Sequence, residues 1–194
     1  YGALGHLKAA KAARPELEIV VAGCLAQKDR ELIRQRASHV DVVVGTHNVH
    51  RTAELLERAR REGPVVEIWD EALDEAEAFP SALPVKREVD YAAWVTIQVG
   101  CDNRCAFCIV PAVRGREISR PMDELVAEVE RLASDGVVEV TLLGQNVNSY
   151  GRDLTRRRPL FAELLGAVAQ VEGIERVRFT SPHPKDLRPE TIEA

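Results

Sequence analysis

The sequence predicts an α/β protein of two domains, each a parallel sheet flanked by helices. Three observations predict it. Short runs rich in valine and isoleucine alternate with helical stretches along nearly the whole chain. These runs are almost continuously apolar, as strands of a parallel sheet must be when helices cover both faces. The alternation also breaks once, in an acidic stretch with prolines between Asp70 and Asp90, and then resumes.

The first domain opens with a helix through about Ala13, closed by Pro15. A strand over Glu18 to Ala22 follows and ends at Gly23-Cys24. A polar helix is expected from about Lys28 to Arg36, a strand over Asp41 to Gly45, and a helix from about Arg51 to Arg61, stopped by Gly63-Pro64. Val65 to Ile68 makes the third strand. Asp70, Glu71, Asp74, Glu75 and Glu77, followed by Pro80, Pro84 and Lys86-Arg87, read as a solvated interdomain linker. It divides the chain into residues 1–85 and 86–194.

The second domain starts with a strand over Ala93 to Val99, whose C-terminal end delivers a cysteine-rich loop. Pro121, then Asp123 and Glu124, mark the first turn of an amphipathic helix carrying Leu125, Val126, Val129, Leu132 and Ala133 and ended by Gly136. Val137 to Leu143 is the next strand. Pro159 opens a helix with Phe161, Leu164, Leu165 and Val168 on one face, Gly173 closes it, and Ile174 to Thr180 returns as a strand. That order is βαβαβ. Right-handed crossovers place such strands side by side and gather their functional loops at one rim.

Composition narrows the function classes. The chain has 194 residues, 45% hydrophobic and 29% charged, which is ordinary for a folded globular protein. No stretch approaches the roughly 20 apolar residues of a membrane-spanning helix, so a cytosolic protein without membrane attachment is expected. A formal charge of -5 leaves no basic footprint for nucleic acid. The chain opens at Tyr1 inside a helical stretch and ends as another helix begins, so it is expected to be a fragment of a longer protein.

Three of the four cysteines, Cys101, Cys105 and Cys108, have the spacing Cys-x3-Cys-x2-Cys. Three thiolates in so short a loop favour metal ligation in a reducing compartment over a disulfide framework. Soft ligands of this kind select an iron-sulfur cluster or zinc. Structural zinc takes four protein ligands and catalytic zinc usually includes histidine, yet His50 and His183 are far away in sequence. Ferredoxin clusters take four cysteines each, and no fourth lies nearby. A 4Fe-4S cluster on three thiolates keeps one iron open for substrate chemistry. The alternative of another class is a zinc-bound structural or nucleic-acid-binding module.

Cys101-Asp102-Asn103-Arg104-Cys105-Ala106-Phe107-Cys108 resembles the signature of the radical S-adenosylmethionine (SAM) superfamily, including the aromatic Phe107 before the last cysteine. The resemblance implies that SAM chelates the open iron and is cleaved, by an electron from the cluster, to a 5'-deoxyadenosyl radical. It narrows at Leu143-Gly144-Gln145-Asn146-Val147-Asn148-Ser149-Tyr150-Gly151, which is similar to the tRNA methylthiotransferases. Cys108-Ile109-Val110-Pro111, Arg114 to Pro121 and Arg178 to Pro184 agree, while Val113 departs from the tyrosine-threonine pair expected before Arg114. Gln145-Asn146-Val147-Asn148 favours the branch that modifies carbon 2 of dimethylallyl-modified adenosine in tRNA over the sister branch acting on an aspartate of a ribosomal protein.

The resemblance implies the end of a Rossmann-like methylthiotransferase domain followed by the first βαβαβ part of a partial radical SAM barrel. It implies tRNA as substrate, an electron donor such as flavodoxin or ferredoxin, and loss of activity in the fragment alone. Gly23-Cys24-Leu25-Ala26-Gln27 resembles the site of a ligand to a second 4Fe-4S cluster, incomplete in this stretch; a lone buried cysteine is also ordinary packing. Gln145 and Asn146, just past a barrel strand, can hydrogen-bond the SAM amino group or ribose, or cap their own loop. Ser181 and His183 can face the same cavity or form a rigid turn between prolines. Arg114, Arg116 and Arg120, and Arg152, Arg156, Arg157 and Arg158, can present cations to phosphates or simply be solvated. His6, His39, His47 and His50 show no ligand spacing.

Overall fold

Val42, Val43 and Val44 are fully buried, and the first sheet is organised around them. The computed structural model describes residues 1–70, 87, 89–156 and 158–194. Two compact units are formed, Tyr1–Leu83 with Ala112–Arg114, and Pro84–Pro111 with Gly115–Ala194. The expected boundary at 85 and most of the acidic linker lie outside the described residues, as does Arg157.

In the first unit the order is α1 (Gly2–Ala13), β1 (Val20–Ala22), α2 (Cys24–Asp29), α3 (Glu31–Arg36), β2 (Val42–Val44), α4 (Thr52–Glu62) and β3 (Val65–Glu67). The strands pair in parallel in the order β1-β2-β3, with Val21, Val43 and Val66 in register. Successive side chains of β2 serve opposite faces. Val43 packs with Ile19, Ala26, Ile33, Ala37 and Val40, while Val42 and Val44 pack with Leu55 and Val65. Each full valine burial contributes at most about 1.5–3 kcal/mol, and β2 gathers three.

The single helix expected over Lys28 to Arg36 is instead two short ones. The first begins earlier, at Cys24, directly after Gly23 with φ 87. Arg30 then takes φ 46, ψ -125, which no helix tolerates. Its side chain is drawn off to the Gln27 carbonyl oxygen at 3.4 Å and to the Asp70 carboxylate.

The second unit runs β4 (Ala92–Thr96), β5 (Gln98–Val99), α5 (Val110–Arg114, whose last three residues cluster with the first unit), β6 (Ile118–Ser119), α6 (Met122–Ser134), β7 (Glu139–Leu143), α7 (Arg152–Thr155), α8 (Phe161–Ala169), β8 (Arg176–Phe179) and α9 (Pro189–Glu193). β4, β7 and β8 form a parallel sheet in that order, so the βαβαβ alternation is borne out. Ala93 and Val95 of β4 and Val140 and Leu142 of β7 pack against Leu125 and Val129 of α6 and Phe161, Leu164 and Val168 of α8. The other sheet face carries Trp94, 78% exposed, and Glu139, whose carboxylate accepts from Arg176 and Arg178 at 2.8 Å each.

The strand expected over Ala93 to Val99 is divided. Its parallel ladder stops at Thr96, and Gln98 and Val99 pair antiparallel with Ser119 and Ile118. Ile97 is the pivot: its N–H donates to Leu143 at 2.9 Å and its carbonyl accepts from Arg120 N–H at 2.9 Å. The helix expected to open at Pro159 starts at Phe161, after the separate turn α7. Among the described residues no helix is long and apolar enough to cross a membrane.

Candidate functional site

The cysteine loop leaves β5 through Gly100. Here φ is +77, and an added Cβ would lie 1.8 Å from the Arg116 carbonyl oxygen, so only glycine fits. Cys101 N–H donates to the Gly115 carbonyl at 3.1 Å, fastening the loop's start to the segment before β6. Cys101 is buried, whereas Cys105 and Cys108 are exposed. Burial pushes the Cys101 thiol up; the Asn103 backbone N–H opposes this and the Glu117 carboxylate adds to it. Cys108 N–H closes a turn on the Cys105 carbonyl at 3.2 Å. Phe107 is 98% exposed.

Across the loop base, Glu117 N–H donates to Asp102 Oδ1 at 3.3 Å, and Ser149 Oγ donates to Glu117 Oε1 at 2.8 Å. Burial pushes the Glu117 carboxyl above its ordinary range, against the Ser149 hydrogen bond.

His183 comes next to the loop after β8. Its Nδ1 accepts from Lys185 N–H at 3.2 Å, so in the neutral ring the proton sits on Nε2, which lies 3.6 Å from Cys105 Sγ. Ser181 is exposed and holds a left-handed φ of 58. Of the residues past β7, Asn146 is buried and Gln145 half-buried. Gln98, Gln145, Asn146 and Asn148 each keep a buried side-chain carbonyl oxygen without a hydrogen-bond partner among the described residues. Buried acceptors left unpaired are costly, and a cluster of them at one rim suits a ligand rich in N–H and O–H donors.

Sequence reasoning missed the hub of this rim, Asp186. It is 4% exposed. Its Oδ2 accepts from Asn146 Nδ2 at 2.8 Å and Asn103 Nδ2 at 3.5 Å, and its Oδ1 accepts from Arg152 Nη2 at 2.7 Å. Burial pushes this carboxyl up, but the hydrogen bonds from Asn146 and Arg152 outweigh it and hold the group below the usual range. The available signal was positional: Asn103, Asn146 and Asp186 each lie in a loop just past a strand.

Cys24 belongs to the first unit, at the first turn of α2. Arg114, in the segment that clusters with that unit, donates from Nε to its Sγ at 3.2 Å. Gln27, 3% exposed, braces the same helix: its Nε2 donates to the Trp69 carbonyl at 2.8 Å, and its Oε1 accepts from Thr46 N–H at 3.0 Å.

Among the described residues no three His, Cys, Asp or Glu side chains converge on a single-ion site. An iron-sulfur cube gives each thiolate its own iron and spreads the sulfurs apart. Three soft thiolates on one loop, two of them open to the outside, therefore suit a cube held at three corners, beside a rim of unpaired acceptors.

Residues 95–194 match the model of the radical SAM superfamily. The chain belongs to that superfamily, whose cofactors are a 4Fe-4S cluster and SAM. Along its full length it is 56% identical to the tRNA-2-methylthio-N(6)-dimethylallyladenosine synthases of Nocardia farcinica and Streptomyces coelicolor, covering 39% and 38% of those proteins. The corresponding protein of Parafrankia sp. is also 56% identical, with 38% of its length covered. The chain thus spans about two fifths of these curated relatives. A solved structure of the radical SAM methyltransferase TsrM from Kitasatospora setae, with cobalamin and a 4Fe-4S cluster bound, aligns over 51% of this chain and 23% of its own at 25% identity and a TM-score of 0.31, a likeness too slight to bear on the fold.

Proposed function

We propose that the intact protein is a radical SAM methylthiotransferase that places a methylthio group on carbon 2 of N(6)-dimethylallyladenosine in tRNA. The observation that carries this reading is a three-cysteine loop past β5 in a chain 56% identical, from end to end, to synthases of that name. Cys101, Cys105 and Cys108 hold the cluster, and its fourth iron is left for SAM. When bound, the cluster supplies the electron that cleaves SAM.

The remaining roles belong to the chain's own side chains. Gln145 and Asn146 offer carbonyl acceptors to the donors of SAM, and the lack of a partner for these oxygens among the described residues supports this. His183 keeps an N–H beside Cys105 Sγ at 3.6 Å, where it orients that sulfur. Phe107 offers an exposed apolar cover to the cluster, and Ser181 lies on the same rim as His183. Cys24 is a ligand of the second cluster, and Arg114 Nε donates to its sulfur at 3.2 Å. The tRNA and a small electron-donor protein such as flavodoxin or ferredoxin are the partners.

The test uses the intact enzyme, reconstituted anaerobically with iron and sulfide and given SAM, a reductant and tRNA carrying dimethylallyladenosine. Nucleoside mass spectrometry should find the methylthio product. If tRNA is untouched while a ribosomal-protein aspartate is modified, the substrate assignment is wrong.

A further inference from the structure

We infer that Asp186 is a positioning residue for SAM, because it decides which end of the Asn146 side-chain amide is presented to the ligand. This rests on the reading of Asn146 as a SAM-binding residue. An ionised carboxylate only accepts hydrogen bonds, whereas an amide has one donating and one accepting end. Asp186 Oδ2 sits 2.8 Å from Asn146, so the NH2 end must face it and the carbonyl Oδ1 must face away. That oxygen is buried and unpartnered, on a residue only 1% exposed. The lock leaves an acceptor, never a donor, turned toward the ligand. The amino group and ribose hydroxyls of SAM are donors, and an acceptor is what they need.

Arg152 makes the inference sharp. Its guanidinium also only donates, and it holds the other carboxylate oxygen, Oδ1, at 2.7 Å. In Asp186→Asn the new amide must keep its oxygen toward Arg152, which turns its NH2 toward the NH2 groups of Asn146 and Asn103. Two donors cannot face each other, so the Asn146 amide inverts and presents its own NH2 to SAM. The substitution removes no atom that touches the ligand, yet it exchanges an acceptor for a donor at the ligand's face.

The experiment measures iron content and the SAM concentration that half-saturates the change in the electron paramagnetic resonance spectrum of the reduced cluster, in the intact enzyme. D186N should keep its iron while half-saturation rises about tenfold or more, the equivalent of one lost hydrogen bond. The double swap Asn146→Asp with Asp186→Asn restores a donor facing an acceptor between positions 146 and 186, giving up only the long 3.5 Å contact from Asn103, and again turns an acceptor to the ligand. It should return half-saturation to within about threefold of wild type. Unchanged half-saturation in D186N overturns the inference. Should D186N not fold, the double swap decides: near-wild-type SAM binding supports the lock, and weak binding in a folded, iron-loaded swap overturns it. If SAM leaves the wild-type spectrum unaltered, the SAM-site reading itself has failed, a result distinct from any of these.

Discussion

The backbone of Gly100 runs against that of Arg116 so closely that a Cβ at Gly100 would meet the Arg116 carbonyl oxygen at 1.8 Å and its carbonyl carbon at 2.5 Å. Both atoms are backbone, so neither can swing aside. This contact sets the point at which the cysteine loop departs from β5 and ties it to the segment leading into β6.

Gly100→Ala is therefore expected to displace the loop and cost the intact enzyme about 2 kcal/mol or more. Gly136 has a similar φ of +87 but open space around its α-carbon, so Gly136→Ala should cost only about 1 kcal/mol. Unfolding midpoints and iron content measured side by side check this. Equal losses in the two variants, or full iron in Gly100→Ala, would remove the steric argument.

Tyr150 is fully buried and donates from its hydroxyl to the Arg120 carbonyl at 2.8 Å. Tyr150→Phe should destabilise the second unit by about 1–2 kcal/mol. Burial holds the phenol well above its ordinary value of 10.0. The folded state thus keeps a proton that the unfolded state releases, so stability is full below pH 10 and falls as pH rises beyond it. Urea unfolding across pH 8.5 to about 10.5 should show a downward slope in wild type that is shallower in Tyr150→Phe.

Gln27→Leu keeps the size of a side chain that braces α2 but strips Thr46 N–H and the Trp69 carbonyl of their partner. A loss of about 2 kcal/mol is expected, measured by thermal unfolding. Because α2 carries Cys24, iron at the second cluster should fall while iron on the cysteine loop of the other unit stays.

Cys24→Ala separates the two clusters more directly. In the intact enzyme it should lower iron by about four per chain, leave SAM cleavage in place and abolish methylthio transfer. Product analysis for 5'-deoxyadenosine and for modified nucleoside reads both arms at once. Wild-type transfer with Cys24 removed would make that thiol ordinary packing.

Much of the fold is legible from the sequence because its strongest signals are local. Val42-Val43-Val44 reads as a strand covered on both faces since three consecutive valines leave no polar face, and the cores on both sides of β2 bear this out. Ile97 was not legible as a break. Ala93 to Val99 is uniformly strand-like, and its division depends on pairing with Ile118 and Ser119, some twenty residues on. Arg30 likewise breaks its helix through backbone geometry that no propensity encodes. Asp186 escaped for the same reason: its partners Asn103 and Asn146 are 83 and 40 residues away, so a single acid between prolines gave no motif. The cysteine loop, by contrast, carries its chemistry within eight residues, and the superfamily can be read from it.

The central claim is a 4Fe-4S cluster fixed by Cys101, Cys105 and Cys108 and open to SAM at the fourth iron. The most direct test replaces each of these three with alanine in the intact, anaerobically reconstituted enzyme, and counts iron while following SAM-dependent change in the cluster's magnetic spectrum. Each variant is predicted to lose about four irons together with the SAM response and SAM cleavage. Retention of all three properties in any one of the variants would contradict the account.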